Sequence, residues 1–170
     1  MKKLQLLISD SNILIDLIVV DQIENMFNLP FSFAVPDILF DQELKEQHSG
    51  LEEMGLIIKS LSGESVAYSM TLAEMYPKPG RNDLFALALA KQESCPLITG
   101  DMDLRDAAHS EAVILYGTIW IVEQLVRHSF IDIEGARNLF NLMKEQKRRL
   151  PWDIADAHMN ELERELSSNN

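Results

Sequence analysis

Five short apolar runs recur along the chain, each followed by a longer stretch with helical periodicity. They are residues 4–8 (LQLLI), 31–35 (FSFAV), a weaker run within 54–61, 96–99 (PLIT) and 112–116 (AVILY). Runs this brief, apolar without strict alternation, suit strands covered on both faces, and strands separated by helices suit parallel pairing. The expected architecture is therefore a three-layer α/β/α sandwich around a mostly parallel sheet of four to five strands, with the weaker third run at an edge.

The intervening stretches read as helices. Residues 13–27 suit one or two helices, and Pro36, well placed for a first helical turn, opens a helix over 37–47. Ser62-Gly63-Glu64 leads into a helix reaching about Met75, which Pro77 and Pro79 end. Residues 82–93 are apolar on most faces, so that helix is expected to be buried. Further helices are expected from Asp101 to about His109, over 118–128 and over 133–149, and Pro151 opens a final charged one. This divides the chain into a domain over residues 1–150 and a helical extension over 151–170, whose polar tail from Ser167 is expected to fray.

No apolar run approaches the length that spans a bilayer. Met1-Lys2-Lys3-Leu4 reads as the start of a strand, because no long apolar region or small-residue cleavage site follows it. Cys95 is the only cysteine, which excludes an intrachain disulfide and a cysteine-rich zinc site and suits a reducing cytoplasm. The formal net charge of −12 argues against a simple nucleic-acid-binding module. It leaves room for a nuclease whose clustered acids are neutralised by metal.

In parallel sheets the functional crevice lies beyond the carboxyl ends of the strands. Asp10 directly follows the first run; Asp101 follows the fourth, with Asp103 two residues later. Singly, Asp10 and Asp101 also read as helix N-caps, and the two roles are compatible. Glu43 falls beside Leu39, Phe40 and Leu44 on the stripe expected to face inward, where an ionised carboxylate is costly unless paired or metal-bound. Asp83 opens the helix carrying Ala86, Leu87 and Ala90 and gains from the helix dipole. Hard divalent cations prefer oxygen ligands of this kind, and a metal removes the repulsion among crowded carboxylates.

The ordered segments resemble the PIN domain family over roughly residues 4–117. They are Ile8-Ser9-Asp10-Ser11-Asn12-Ile13-Leu14, Val35-Pro36-Asp37 through Glu43-Leu44, Gly80-Arg81-Asn82-Asp83 with Leu87-Ala88-Leu89-Ala90, and Leu97-Ile98-Thr99-Gly100-Asp101-Met102-Asp103. The resemblance implies a metal-dependent endoribonuclease using Mg2+ or Mn2+, with Asp10, Glu43, Asp83 and Asp101 as the acidic tetrad and Asp103 as an accessory ligand. It places Asn12 and Thr99 as polar supports of the acids or of the scissile phosphate. It also implies an RNA substrate, a VapC-like toxin role with an antitoxin partner, and a homodimer. The region after residue 130 is longer than in the smallest members and reads as a dimerisation or partner-binding element.

Other residues take plainer readings. Lys144, Lys147, Arg148 and Arg149 read as a solvated helix terminus. His48, His109, His128 and His158 lack metal-pair spacing, and Trp120 and Trp152 read as packing anchors. Asp106, Asp153 and Asp156 read as surface acids, and Cys95 as a small buried hydrophobe. The sequence leaves two other functions open: a catalytically silent module of the same fold that works through protein contacts, and another acid-rich α/β phosphotransferase or phosphatase.

Overall fold

A computed structural model describes residues 4–169. The expected strand start at Met1–Lys3 and the end of the tail at Asn170 lie outside the described residues. Five strands, β1 (Gln5–Ser9), β2 (Phe31–Pro36), β3 (Ile57–Lys59), β4 (Leu97–Ile98) and β5 (Leu115–Tyr116), form one sheet in the order β3-β2-β1-β4-β5. Every pairing is parallel: Ile8 stands opposite Ala34 on one side and Leu97 on the other, Ala34 opposite Ile57, and Leu97 opposite Leu115. The sheet is thus parallel throughout, as the alternation of strand and helix requires, because parallel neighbours can be joined only by a crossover.

Helices cover both faces, which explains why Leu7, Ile8, Phe33, Ala34 and Val35 are buried in succession and not alternately. Helix α1 (Ser11–Val19) follows β1 and packs on α2 (Ile23–Phe27), which reaches β2. After β2 come α3 (Asp37–Leu39), a π-helical turn over Phe40–Leu44 and the short α4 (Leu51–Met54). Helix α5 (Gly63–Met75) lies on α6 (Arg81–Glu93), which sits against β1, β2 and β4 with every residue from Leu84 to Ala90 buried. Helix α7 (Met102–Ser110) joins β4 to β5. Then α8 (Thr118–Arg127), α9 (Ile133–Glu145) and α10 (Trp152–Ser168) pack on one another.

Three local expectations are revised. The helix expected over 37–47 is not a regular α-helix: the Lys45 N–H donates to the Phe40 carbonyl at 2.8 Å, five residues back. That wider turn keeps Phe40 and Leu44 in the core and swings Glu43 off their line, so Glu43 is exposed and not inward-facing. The fifth strand is shorter than 112–116, because Ala112, at φ 60°, and Val113 close the end of α7, their N–H groups donating to the His109 and Ala108 carbonyls at 3.1 and 2.9 Å. The last helix runs further into the tail than expected, since α10 continues through Ser167 to Ser168.

Gly55 closes α4 at φ 126°, a conformation open to glycine and strained for any side chain, although a Cβ there would meet only Phe27, its Cβ at 3.7 Å and its Cγ at 4.0 Å. Gly55→Ala should therefore cost about 1–2 kcal/mol through the backbone alone. The melting temperature should fall by about 2–8 °C in differential scanning fluorimetry.

Candidate active site

The strand order reverses between β1 and β4, and the crevice of an open parallel sheet forms at that switch point. Asp10 emerges there from β1, only 1% exposed. Its Oδ1 caps α1 by accepting the Ile13 N–H at 3.0 Å, and its Oδ2 accepts the Thr99 hydroxyl. Thr99 is buried at the end of β4, where its Oγ1 also accepts the Asp101 N–H at 3.1 Å. One threonine hydroxyl therefore ties together the ends of the two strands at the switch point. Arg105 fixes the same strand end by donating to the Thr99 carbonyl at 2.9 Å.

Asp101 caps α7 through the Leu104 N–H at 2.8 Å and is otherwise exposed. Asp83 is half-buried in the first turn of α6, its Oδ2 accepting the Gly80 N–H at 3.2 Å. Glu43 is held at the rim by the hydroxyl of Ser11, the residue after Asp10, which donates to its Oε1 at 3.1 Å. Capping by Asp10 and Asp101 thus coexists with their places at the strand ends.

Burial pushes the Asp10 carboxyl up to about 7, opposed by the Thr99 and Ile13 donors and reinforced by the charges of Asp83 and Asp16. Asp83 is also raised, first by burial and then by Asp101, with the Gly80 N–H opposing and Glu43 adding. Asp83 therefore lies within electrostatic reach of each of the other three, Asp10, Glu43 and Asp101. Asp103 stands exposed in the first turn of α7. Asn12 is exposed, and its Oδ1 and carbonyl oxygen accept from Arg148 Nη2 at 3.4 and 3.3 Å.

Carboxylates of this kind suit a hard divalent cation in donor chemistry. A further oxygen is in reserve beside Asp83: Asn82 Oδ1 is buried with no hydrogen-bond partner, while its Nδ2 donates to Gln42 at 3.1 Å. Among the described residues, however, no three His, Cys, Asp or Glu side chains are closed into a ligand group. The acids neighbour one another without converging on one point.

Sequence reading missed a second network. Asp16, buried in α1, accepts the Thr118 hydroxyl at 2.7 Å and Arg148 Nε at 2.6 Å. Arg148 is accordingly no part of a solvated helix terminus: α9 stops at Glu145, and Lys147 at φ 60° turns the chain back toward α1. The available signal was Asp16 itself, a lone acid within the apolar stretch Ile13-Leu14-Ile15-Asp16-Leu17-Ile18. Trp120 stacks on Tyr116 with ring centroids 4.1 Å apart, a packing role.

Fold and site together define a doubly wound, all-parallel α/β protein with Asp10 and Asp101 at the strand ends of its switch point. A family model described as a PIN domain matches residues 6–164, and the chain belongs to the PIN domain family. A chain in the crystal structure of VapBC2 from Rickettsia felis, bound to a DNA fragment from their promoter, is similar at a TM-score of 0.51 and 20% identity. The match covers 66% of this chain and 98% of that one, and at that identity the likeness is one of fold. No curated protein matches the sequence. Among the described residues no helix is long and apolar enough to cross a membrane.

Proposed function

We propose that the chain is a metal-dependent endoribonuclease that hydrolyses RNA phosphodiester bonds, with Asp10, Glu43, Asp83 and Asp101 as its catalytic acids and Asp103 as an accessory ligand. The observation that supports this most is Asp10: an almost fully buried carboxyl pushed up to about 7, set among further acids at the switch point. Natural sequences seldom hold an acid in such a place without a use for its charge. Mg2+ or Mn2+ bound among these acids would supply an activated water and stabilise the leaving oxygen.

The protein's own residues then do the positioning. The Thr99 hydroxyl and the Ile13 N–H fix both oxygens of Asp10, so the carboxylate is oriented before any ligand arrives. Ser11 and Gly80 each hold one oxygen, of Glu43 and of Asp83 respectively. Glu43, Asp101 and Asp103 are exposed, which leaves the site open to a polymeric substrate. The same exposed face is where an antitoxin would cover the acids, and the fold shared with a VapBC2 chain supports a toxin role within such a pair.

The test is direct. Purified protein should cut a single-stranded RNA when Mn2+ is added and stop when a chelator is added. Calorimetry should show Mn2+ binding that Asp83→Asn weakens. The acids do not form a closed ligand group, which favours the rival reading of a silent protein-contact module. The absence of both cleavage and binding heat would decide for that rival.

A further inference from the structure

The positive charge of this molecule is unevenly placed. The chain has 15 lysines and arginines against a net charge of −12, yet Lys144, Lys147, Arg148 and Arg149 all fall within residues 144–149. This segment is an ordered turn: the Arg148 N–H returns to the Met143 carbonyl at 2.9 Å, and Lys147 adopts a left-handed φ of 60°. Arg148 points inward, its Nε on buried Asp16 at 2.6 Å and its Nη2 on the Asn12 carbonyl at 3.3 Å. Asn12 lies two residues from Asp10. Lys144, Lys147 and Arg149 are all exposed, but Lys144 rests over the Trp152 ring, 5.9 Å from its centroid. That leaves Lys147 and Arg149 as the cations of the turn given over to solvent.

We propose that this turn is a docking strip for the phosphate backbone of single-stranded RNA, contacted by Lys147 and Arg149 and held beside the acids by the Arg148–Asp16 ion pair. The inference rests on the nuclease reading of those acids. A polyanion nearing a protein of net charge −12 is repelled over most of its surface, so local cationic groups decide where it can settle. Phosphate contacts supply affinity and register but no sequence information, so the strip should act on all RNA alike. Because Asp16 neutralises Arg148, the phosphate contacts fall to the two exposed neighbours.

The experiment uses the full chain carrying Asp10→Asn, so that RNA survives, in the presence of Mg2+. Binding of a fluorescent single-stranded RNA is followed by anisotropy over a range of salt, with and without Lys147→Gln and Arg149→Gln together. Loss of two phosphate contacts should weaken binding about tenfold at low salt. It should also make the log–log salt slope shallower by about 1.4, at about 0.7 per contact on a single strand. Unchanged affinity and slope would overturn the strip, as would no RNA binding in either background. So would a strip that takes an acidic protein segment but not RNA. Because both side chains are exposed, melting temperatures should not move, which separates a binding loss from misfolding. Cleavage by the wild type is scored independently. A protein that cuts RNA with an unchanged salt slope keeps the assignment of the acids and loses the strip. One that binds RNA through the strip but never cuts does the opposite.

Discussion

Replacing Asp10 by asparagine should raise the melting temperature of the metal-free protein at pH 8 while abolishing RNA cleavage. Burial lifts the Asp10 carboxyl from 3.8 to about 7 in the folded chain. A folded pKa above the unfolded one means that the native state holds the proton more tightly. Its stabilising contribution is then complete below about pH 4 and is lost as the pH rises through about 7. Three pKa units correspond to a ceiling of about 4 kcal/mol. Asparagine carries no charge at any pH, can still accept the Ile13 N–H, and can donate to Thr99 Oγ1 where the carboxylate accepted. The variant should therefore gain about 2–4 kcal/mol over the wild type at pH 8, roughly 5–15 °C, and little at pH 4. Mn2+ at about a hundred times its dissociation constant would return about 2.7 kcal/mol to the wild type and nothing to the variant. Cleavage should fall by more than about 100-fold, since losing a residue that only supports a ligand already costs about 10–100-fold. Thermal scans at pH 4 and 8, with and without Mn2+, check the stability half. Parallel pH profiles for the two proteins would mean that Asp10 ionises normally and that its burial is no reservoir of charge.

How far the sequence can be read is clearest at the acids themselves. Asp10 and Asp101 were legible because each ends a short apolar run, and the end of a parallel strand is a position that local pattern defines. Helix α6 was legible for a similar reason, since uniform apolarity from Leu84 to Ala90 admits only burial. Glu43 was harder. Its orientation depends on how many residues make one turn, and the π-helical hydrogen bond from Lys45 to Phe40 reflects tertiary packing of Phe40 and Leu44, which no local periodicity encodes. The Arg148 pairing was beyond reach altogether. It joins positions 132 residues apart, and a run of lysines and arginines after a helix looks the same whether it points to water or into a site. Asp16 marked only half of that pair.

That half-visible pair carries the last large effect. Arg148→Ala should lower stability by about 3 kcal/mol, the lower end for removing one partner of a buried pair, because the Arg148 side chain is 23% exposed while Asp16 is 9%. For a chain of this length the melting temperature should drop by about 6–12 °C. The loss is that of an uncompensated charge, not of a favourable contact, so adding Asp16→Asn to Arg148→Ala should recover most of it. The Thr118 hydroxyl can still donate to the amide oxygen. A double-mutant cycle separates the two accounts: additive losses would mean that Arg148 acts by packing, and recovery means that it acts by neutralising Asp16. The pair also bears on the site, because the Asp16 charge is among the influences that push Asp10 upward. Without Arg148 that charge acts unopposed, so the acidic limb of the cleavage profile should move to higher pH in Arg148→Ala. It should move back when Asp16→Asn is added. A profile that stays put in both variants would confine Arg148 to a purely structural part.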